Sequence, residues 1–194
     1  MNWKLVLVVV LCTGIGLFLY NEYKGSNSTN YLNENKIHNE QASTESAPKG
    51  EVGILEGQIV PNIQLETLDG KAFNLKDYQG KTVILNFWAT WCPPCKAEMP
   101  DMQKFYEEYK NKNVEIIAVN LTSAEKNKED IKRFTDEYGI TFTVPLDKNG
   151  EISNQFNVVS IPSSYLIDDK GVIRRHVVGP MSYNWMVDEV KKAQ

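Results

Sequence analysis

The feature that most constrains this chain is the apolar run T-V-I-L-N-F-W at Thr82–Trp88, which leads two residues later into W-C-P-P-C. A nearly unbroken apolar run of that length fits a strand covered on both faces. The proline after the first cysteine fits the first turn of a helix, because its fixed φ suits that turn and its missing N–H would have no partner there. A cysteine at such a strand-to-helix turn lies where unpaired amides and the helix dipole stabilise an anion. The Cys92 thiol is therefore expected to ionise more readily than a free one. Thiolate is the attacking species in disulfide exchange, and Cys95, one turn further on, is placed to attack the resulting mixed disulfide. The spacing thus makes Cys92 a candidate nucleophile and Cys95 a candidate resolving thiol.

The surrounding pattern is α/β. Ile63–Thr67 and Ala72–Leu75 flank a Leu68-Asp69-Gly70 turn and predict a hairpin. After the cysteine pair, Met99, Met102, Phe105, Tyr106 and Tyr109 recur at three- and four-residue steps, predicting a helix from about Pro93 to Lys112 with one core-facing stripe. Pro100 lies inside it and is expected to bend it. Val114–Leu121 is a second apolar strand, so strand, helix and strand form a βαβ unit with parallel strands and a right-handed crossover. A helix over Lys128–Tyr138, a hairpin of Tyr165–Ile167 with Val172–Val178, and a closing helix carrying Met186, Val187 and Val190 complete the pattern.

The N-terminal quarter is different in kind. Leu5–Tyr20 carries no charge, and at about 1.5 Å per residue it spans roughly 24 Å, slightly short of the ~30 Å hydrocarbon core. Trp3, Tyr20 and Tyr23 flank it as interfacial aromatics do. No small-x-small cleavage pattern follows closely and Leu11 precedes Cys12, which favours a retained signal-anchor over residues 1–20 above a cleaved or lipidated leader. Residues 21–50 are rich in Asn, Ser, Thr, Glu and Lys and read as a flexible polar tether. Residues 51–194 then form the folded domain, on the extracytoplasmic side of the cell membrane. The net charge of −4 gives no case for nucleic-acid binding. A zinc half-site at the cysteines would need two further ligands, and the only histidines are His38 in the tether and His176 in an expected strand. No metal or cofactor is expected beyond the redox-active disulfide Cys92–Cys95, and the domain is expected to be a monomer.

The stretch N-F-W-A-T-W-C-P-P-C-K-A-E-M-P at Asn86–Pro100 resembles the active site of the thioredoxin superfamily, and more narrowly that of the membrane-anchored TlpA/ResA-type thiol–disulfide oxidoreductases. The likeness extends through Val119–Leu121, I-P-S-S-Y-L-I-D at Ile161–Asp168, and Gly179. It implies a thioredoxin-like fold, a central mixed sheet flanked by helices, with an N-terminal hairpin extension and an insertion in the βαβ region. It also implies that Cys92 attacks first and that the Ile161–Pro162 bond is cis, although X–Pro bonds are usually trans.

Three further expectations concern the surroundings of the pair. Asn86 stands where thioredoxins proper usually carry a buried aspartate; it can hydrogen-bond but cannot titrate. Glu98, three residues after Cys95, is within reach of it on a helix. From the residues alone it is either a solvated first-turn glutamate or a proton partner; the resemblance implies that it tunes the thiols. Trp91, Pro93, Ile161 and Pro162 are expected to form an apolar rim suited to a peptide, with the Ile161 backbone free to pair with an extended chain, while Phe87 and Trp88 pack in the core. The family implies reduction of disulfides in exported proteins, such as apocytochrome c C-x-x-C-H motifs or spore-envelope proteins, with electrons from a membrane thiol carrier. The competing readings are a peroxidase of the peroxiredoxin type, disfavoured by Leu85 and Ala89 where such enzymes place proline and threonine, and a non-catalytic tethered holdase.

Overall fold

The computed structural model describes residues 50–194. The anchor expected at 1–20 and all but the last residue of the tether expected at 21–50 lie outside the described residues. Among the described residues no helix is long and apolar enough to cross a membrane. The elements run β1 (Gln64–Thr67), β2 (Ala72–Asn74), β3 (Thr82–Trp88), α1 (Pro93–Tyr109), β4 (Val114–Asn120), α2 (Glu129–Glu137), β5 (Pro145–Leu146), α3 (Glu151–Gln155), β6 (Ser163–Ile167), β7 (Ile173–Val178) and α4 (Tyr183–Ala193). The strands form one mixed sheet in the order β2-β1-β5-β4-β3-β6-β7.

β3 occupies an interior position, and every one of its residues is buried. It runs parallel to β4, from Thr82 opposite Val114 to Trp88 opposite Asn120, with α1 as the crossover. β6 runs antiparallel along its other edge and pairs Ser163 with Phe87. That register delivers Pro162 to the end of β3, where the loop to the cysteines begins. β1 and β2 form the N-terminal hairpin, with Leu65 opposite Phe73, and join the sheet through β5. After β4 the chain passes through α2 and β5 before it returns along α3 and β6.

Alternation along β3 sends its side chains to two cores, one on each face of the sheet. Ile84 and Trp88 face one core with Met99, Met102 and Phe105 of α1, Ile131 and Phe134 of α2, and Met186 and Val190 of α4. Val83, Leu85 and Phe87 face the other with Ile117, Val119, Phe156, Tyr165 and Ile173. Asn86 lies between Ile84 and Trp88 in the alternation, so it points to the α1 side. Trp88 also donates its indole N–H to the Ala118 carbonyl at 3.1 Å, which ties β3 to β4 from within the core.

The main elements match the sequence expectation to within a few residues. The expected helix to Lys112 ends at Tyr109, and Asn113 at φ 56° turns the chain into β4; asparagine tolerates that left-handed region. The helix runs unbroken through Pro100. Two elements were not expected, the two-residue β5 and the five-residue α3, both too short to show a period. Asp147 builds the start of α3, its carboxylate accepting the N–H groups of Ile152 and Ser153 at 3.3 and 2.8 Å.

Trp88→Ala removes a fully buried indole and its hydrogen bond; it is expected to cost about 3–5 kcal/mol. The check is the midpoint of urea unfolding, with both proteins in the disulfide form.

Candidate active site

The cysteines sit at the junction that the sequence marks. Cys92 is the N-cap of α1, with extended backbone at φ −86° and ψ 110°, and Pro93 and Pro94 occupy the first turn. Cys92 and Cys95 are joined by a disulfide, with Cα atoms 5.3 Å apart. The Cys92 sulfur accepts the Cys95 backbone N–H at 3.2 Å, the place an N-cap oxygen usually fills. The amide is thus already aimed at the sulfur before any thiolate forms.

Across the loop, the Cys92 sulfur lies 3.7 Å from the Ile161 carbonyl oxygen. A disulfide sulfur carries no proton, so in this state the approach is a contact. A reduced Cys92 thiol has an acceptor in the same place. The Ile161–Pro162 bond is cis, as the resemblance implied.

Glu98 is buried, at 1 % exposure, on the sheet side of α1. One carboxylate oxygen accepts from the Asn86 amide at 2.9 Å and the other from the Met181 backbone N–H at 2.9 Å. Burial pushes its pKa up from the ordinary 4.5 to about 7, against the two hydrogen bonds, which favour the charged form. The solvated first-turn alternative is therefore excluded by position. Asn86, which cannot titrate, sits directly against the group that can, and its amide also reaches the Ser164 hydroxyl at 2.9 Å.

The expected rim divides. Trp91 is half exposed and is held by its indole N–H to the Ala124 carbonyl at 3.0 Å. Pro93 is exposed, Ile161 is partly buried, and Pro162 is buried, so Pro162 shapes the loop from beneath while the other three face outward. Lys96 is exposed, and Phe87 and Trp88 belong to the two cores. Leu85 and Ala89 are fully buried apolar residues, not polar groups facing the cysteines.

Sequence reasoning did not single out Glu125, Ser164 or Met181. The Glu125 carboxylate accepts from the Thr90 N–H at 2.7 Å, from the Thr90 hydroxyl, and from the Asn120 amide at 2.9 Å, which fixes the loop leading to Cys92. A glutamate in a polar loop carries no signal of such a role. Ser163 and Ser164 did carry one, being paired hydroxyls in an otherwise apolar run. Met181 contributes only its backbone, which no side-chain pattern reveals.

Comparison with known proteins bears on this geometry. Residues 57–176 match the model of the AhpC/TSA family. The thiol–disulfide oxidoreductase ResA of Bacillus thuringiensis is 34% identical over 190 residues, covering 98% of this chain and 94% of that protein. This chain belongs to the ResA-like thiol–disulfide oxidoreductases of the AhpC/TSA family. The thioredoxin-like protein YneN of Bacillus subtilis is 49% identical over 134 residues, 69% of this chain and 78% of YneN. Among solved structures, StoA from Bacillus subtilis superposes with a TM-score of 0.61 at 32% identity, covering 67% of this chain and 96% of StoA. In a ResA-like oxidoreductase the redox-active group is the cysteine pair itself, here the Cys92–Cys95 disulfide.

The raised pKa of Glu98 fixes a pH dependence of stability. Between its ordinary value of 4.5 and about 7 the folded chain holds a proton that the unfolded chain has released. Stability from this group is therefore complete below pH 4.5, declines as pH rises to about 7, and is flat above it. The loss amounts to roughly 3 kcal/mol. Urea unfolding of the disulfide form at a series of pH values is expected to show this decline, and Glu98→Gln to lack most of it.

Proposed function

We propose that this oxidoreductase works as a reductant outside the cytoplasm. It would be held at the cell membrane by a single N-terminal span, reduce disulfides in exported proteins, and draw electrons from a membrane thiol carrier. The observation that carries the reading is the buried Glu98 carboxylate, three residues after Cys95 on the same helix and shielded from water. A carboxylate behind the pair disfavours thiolate and so stabilises the disulfide relative to the dithiol. That lowers the reduction potential, whereas strong oxidants owe their poise to a stabilised reduced form.

In the proposed cycle the Cys92 thiolate attacks a substrate disulfide. The substrate S–S bond breaks, one sulfur bonds to Cys92, and the other leaves as a thiolate and takes a proton. Cys95 gives its proton to the Glu98 carboxylate and attacks the Cys92 sulfur. The Cys92–Cys95 disulfide forms, and the second substrate sulfur leaves with a proton. The substrate has gained two electrons and two protons, and the carrier returns the same number to the pair. The Ile161 backbone is positioned to pair with an extended segment around the substrate disulfide, whose apolar neighbours would lie on Trp91 and Pro93. The haem-attachment C-x-x-C-H motif of apocytochromes c and the disulfides of spore-envelope proteins are the substrate candidates.

The Cys92/Cys95 couple is expected to have a potential near the thioredoxin value of about −270 mV; a value near about −120 mV would overturn the reductant assignment. Glu98→Gln is expected to lower the Cys95 thiol pKa and raise the potential, read by pH titration of the reduced pair and by equilibration with glutathione. Cys95→Ala in the full chain is expected to accumulate mixed disulfides with exported proteins in the membrane fraction. Capture of cytoplasmic proteins alone would refute the location.

A further inference from the structure

Asn86 is fully buried, and its amide is used on one side only. Nδ2 donates to both Glu98 and Ser164, each at 2.9 Å, while Oδ1 has no hydrogen-bond partner. The Ser164 hydroxyl, also buried, serves here as an acceptor. Burying an amide oxygen without a partner is costly, and the core position would accept an apolar residue, since Ile84 and Trp88 flank it in the alternation of β3. An asparagine there needs a reason that its donor atom alone does not give.

The reason lies in what Glu98 presents. As a carboxylate it offers acceptors only, and an NH2 group is the right neighbour. As a carboxylic acid it carries an O–H that needs an acceptor, and an NH2 group cannot serve. The Met181 N–H, on the other carboxylate oxygen, is a fixed backbone donor and cannot change its role. The groups that act on Glu98 are its burial, the Met181 amide and the Asn86 amide, with no charged side chain among them. Only Asn86 can adapt.

We propose that Asn86 is a positioning residue whose amide turns over with the protonation of Glu98, offering Nδ2 to the carboxylate and Oδ1 to the carboxylic acid. Rotation by half a turn about the Cβ–Cγ bond exchanges two atoms of nearly equal size, so the surrounding core does not need to repack. That torsion is soft and roughly two-fold. In the turned arrangement the Glu98 O–H donates to Oδ1, and the Ser164 hydroxyl changes from acceptor to donor toward the same atom. In the turned arrangement the NH2 group faces the unpaired position in place of Oδ1, a cost that the new hydrogen bonds from the Glu98 and Ser164 hydroxyls to Oδ1 offset. An aspartate at this position would put a second carboxylate beside Glu98, and a leucine would serve neither form. The inference deepens the reading of Glu98 as a proton carrier, because it lets one buried carboxyl group hold and release a proton without leaving a donor facing a donor.

The test is side-chain amide NMR on the full chain in the disulfide form, following the Glu98 carboxyl carbon and the Asn86 NH2 protons together through the Glu98 titration. Above the midpoint the NH2 protons are expected to show strong cross-relaxation to the Glu98 and Ser164 methylenes, and below it those cross-peaks are expected to fall several-fold. Cross-peaks of unchanged strength while Glu98 titrates would overturn the proposal. Asn86→Leu supplies a second reading. A residue that served both forms leaves the Glu98 midpoint little changed on removal, whereas a fixed donor leaves it raised by about one unit or more. Thiol pKa values that ignore Glu98→Gln would refute the role of Glu98 in the chemistry and leave the amide result standing on its own.

Discussion

The pairing of β6 against β3 is the contact on which the active site depends. With Ser163 opposite Phe87, the chain must enter β6 beside the point where β3 ends and the cysteine loop begins. The Ile161 carbonyl is thereby brought to the Cys92 sulfur, although 69 residues separate them in the chain. The same strand pair places Ser164 opposite Asn86, so the hydroxyl and the amide meet on the α1 face of the sheet. One register therefore sets both the outward surface that a substrate would meet and the buried polar group behind the disulfide. A shift of one residue would turn every β6 side chain to the opposite face and separate both pairs.

Two electrostatic influences act on the cysteines in opposite directions. At the helix start the Cys95 amide points at the Cys92 sulfur, and the dipole of a seventeen-residue helix adds to it. Both favour thiolate and hence a quick attacking group. Behind them, Glu98 sits in a core that excludes water, where a negative charge interacts with another far more strongly than at the surface. The two influences need not cancel, because they act at different places. The amide is in hydrogen-bond contact with Cys92, whereas Glu98 follows Cys95 by three residues on the helix and is bound to Asn86 and Met181. In the proposed cycle Cys92 would keep its reactivity while Cys95 would be held as a thiol until Glu98 can take its proton. An asymmetric pair of this kind suits stepwise exchange, in which attack and resolution must not compete.

Much of this was legible in the sequence, for physical reasons that differ from part to part. The strand at Thr82–Trp88 was visible because both of its faces are buried, and the helix start because two prolines follow the cysteine. The parallel crossover followed from the order of apolar runs. The short β5 and α3 were not legible, since pairings such as Asn120 with Leu146 arise from the meeting of distant segments and leave no local period. Glu98 shows where the boundary lies. Its spacing from Cys95 put it on the right helix, but spacing alone could not separate a solvated glutamate from a buried one, because burial is decided by Asn86 and Met181, twelve residues before it and eighty-three after.

Asn86 marks the place where local rules and function pull apart. By pattern a seven-residue strand with two covered faces has no use for an amide, and its unpaired oxygen is a continuing cost. Titratable groups buried in a core usually carry such a cost, because their two protonation states need different neighbours and a packed interior offers only one arrangement. A neighbour that is neutral, nearly symmetric in shape and able to give or take a hydrogen bond removes that conflict with a single torsion. The apolar packing of Ile84 and Trp88 on either side supplies the stability that permits it. In this chain the core is what holds the reactive turn in place, and the amide that β3 admits between Ile84 and Trp88 is the one that faces Glu98.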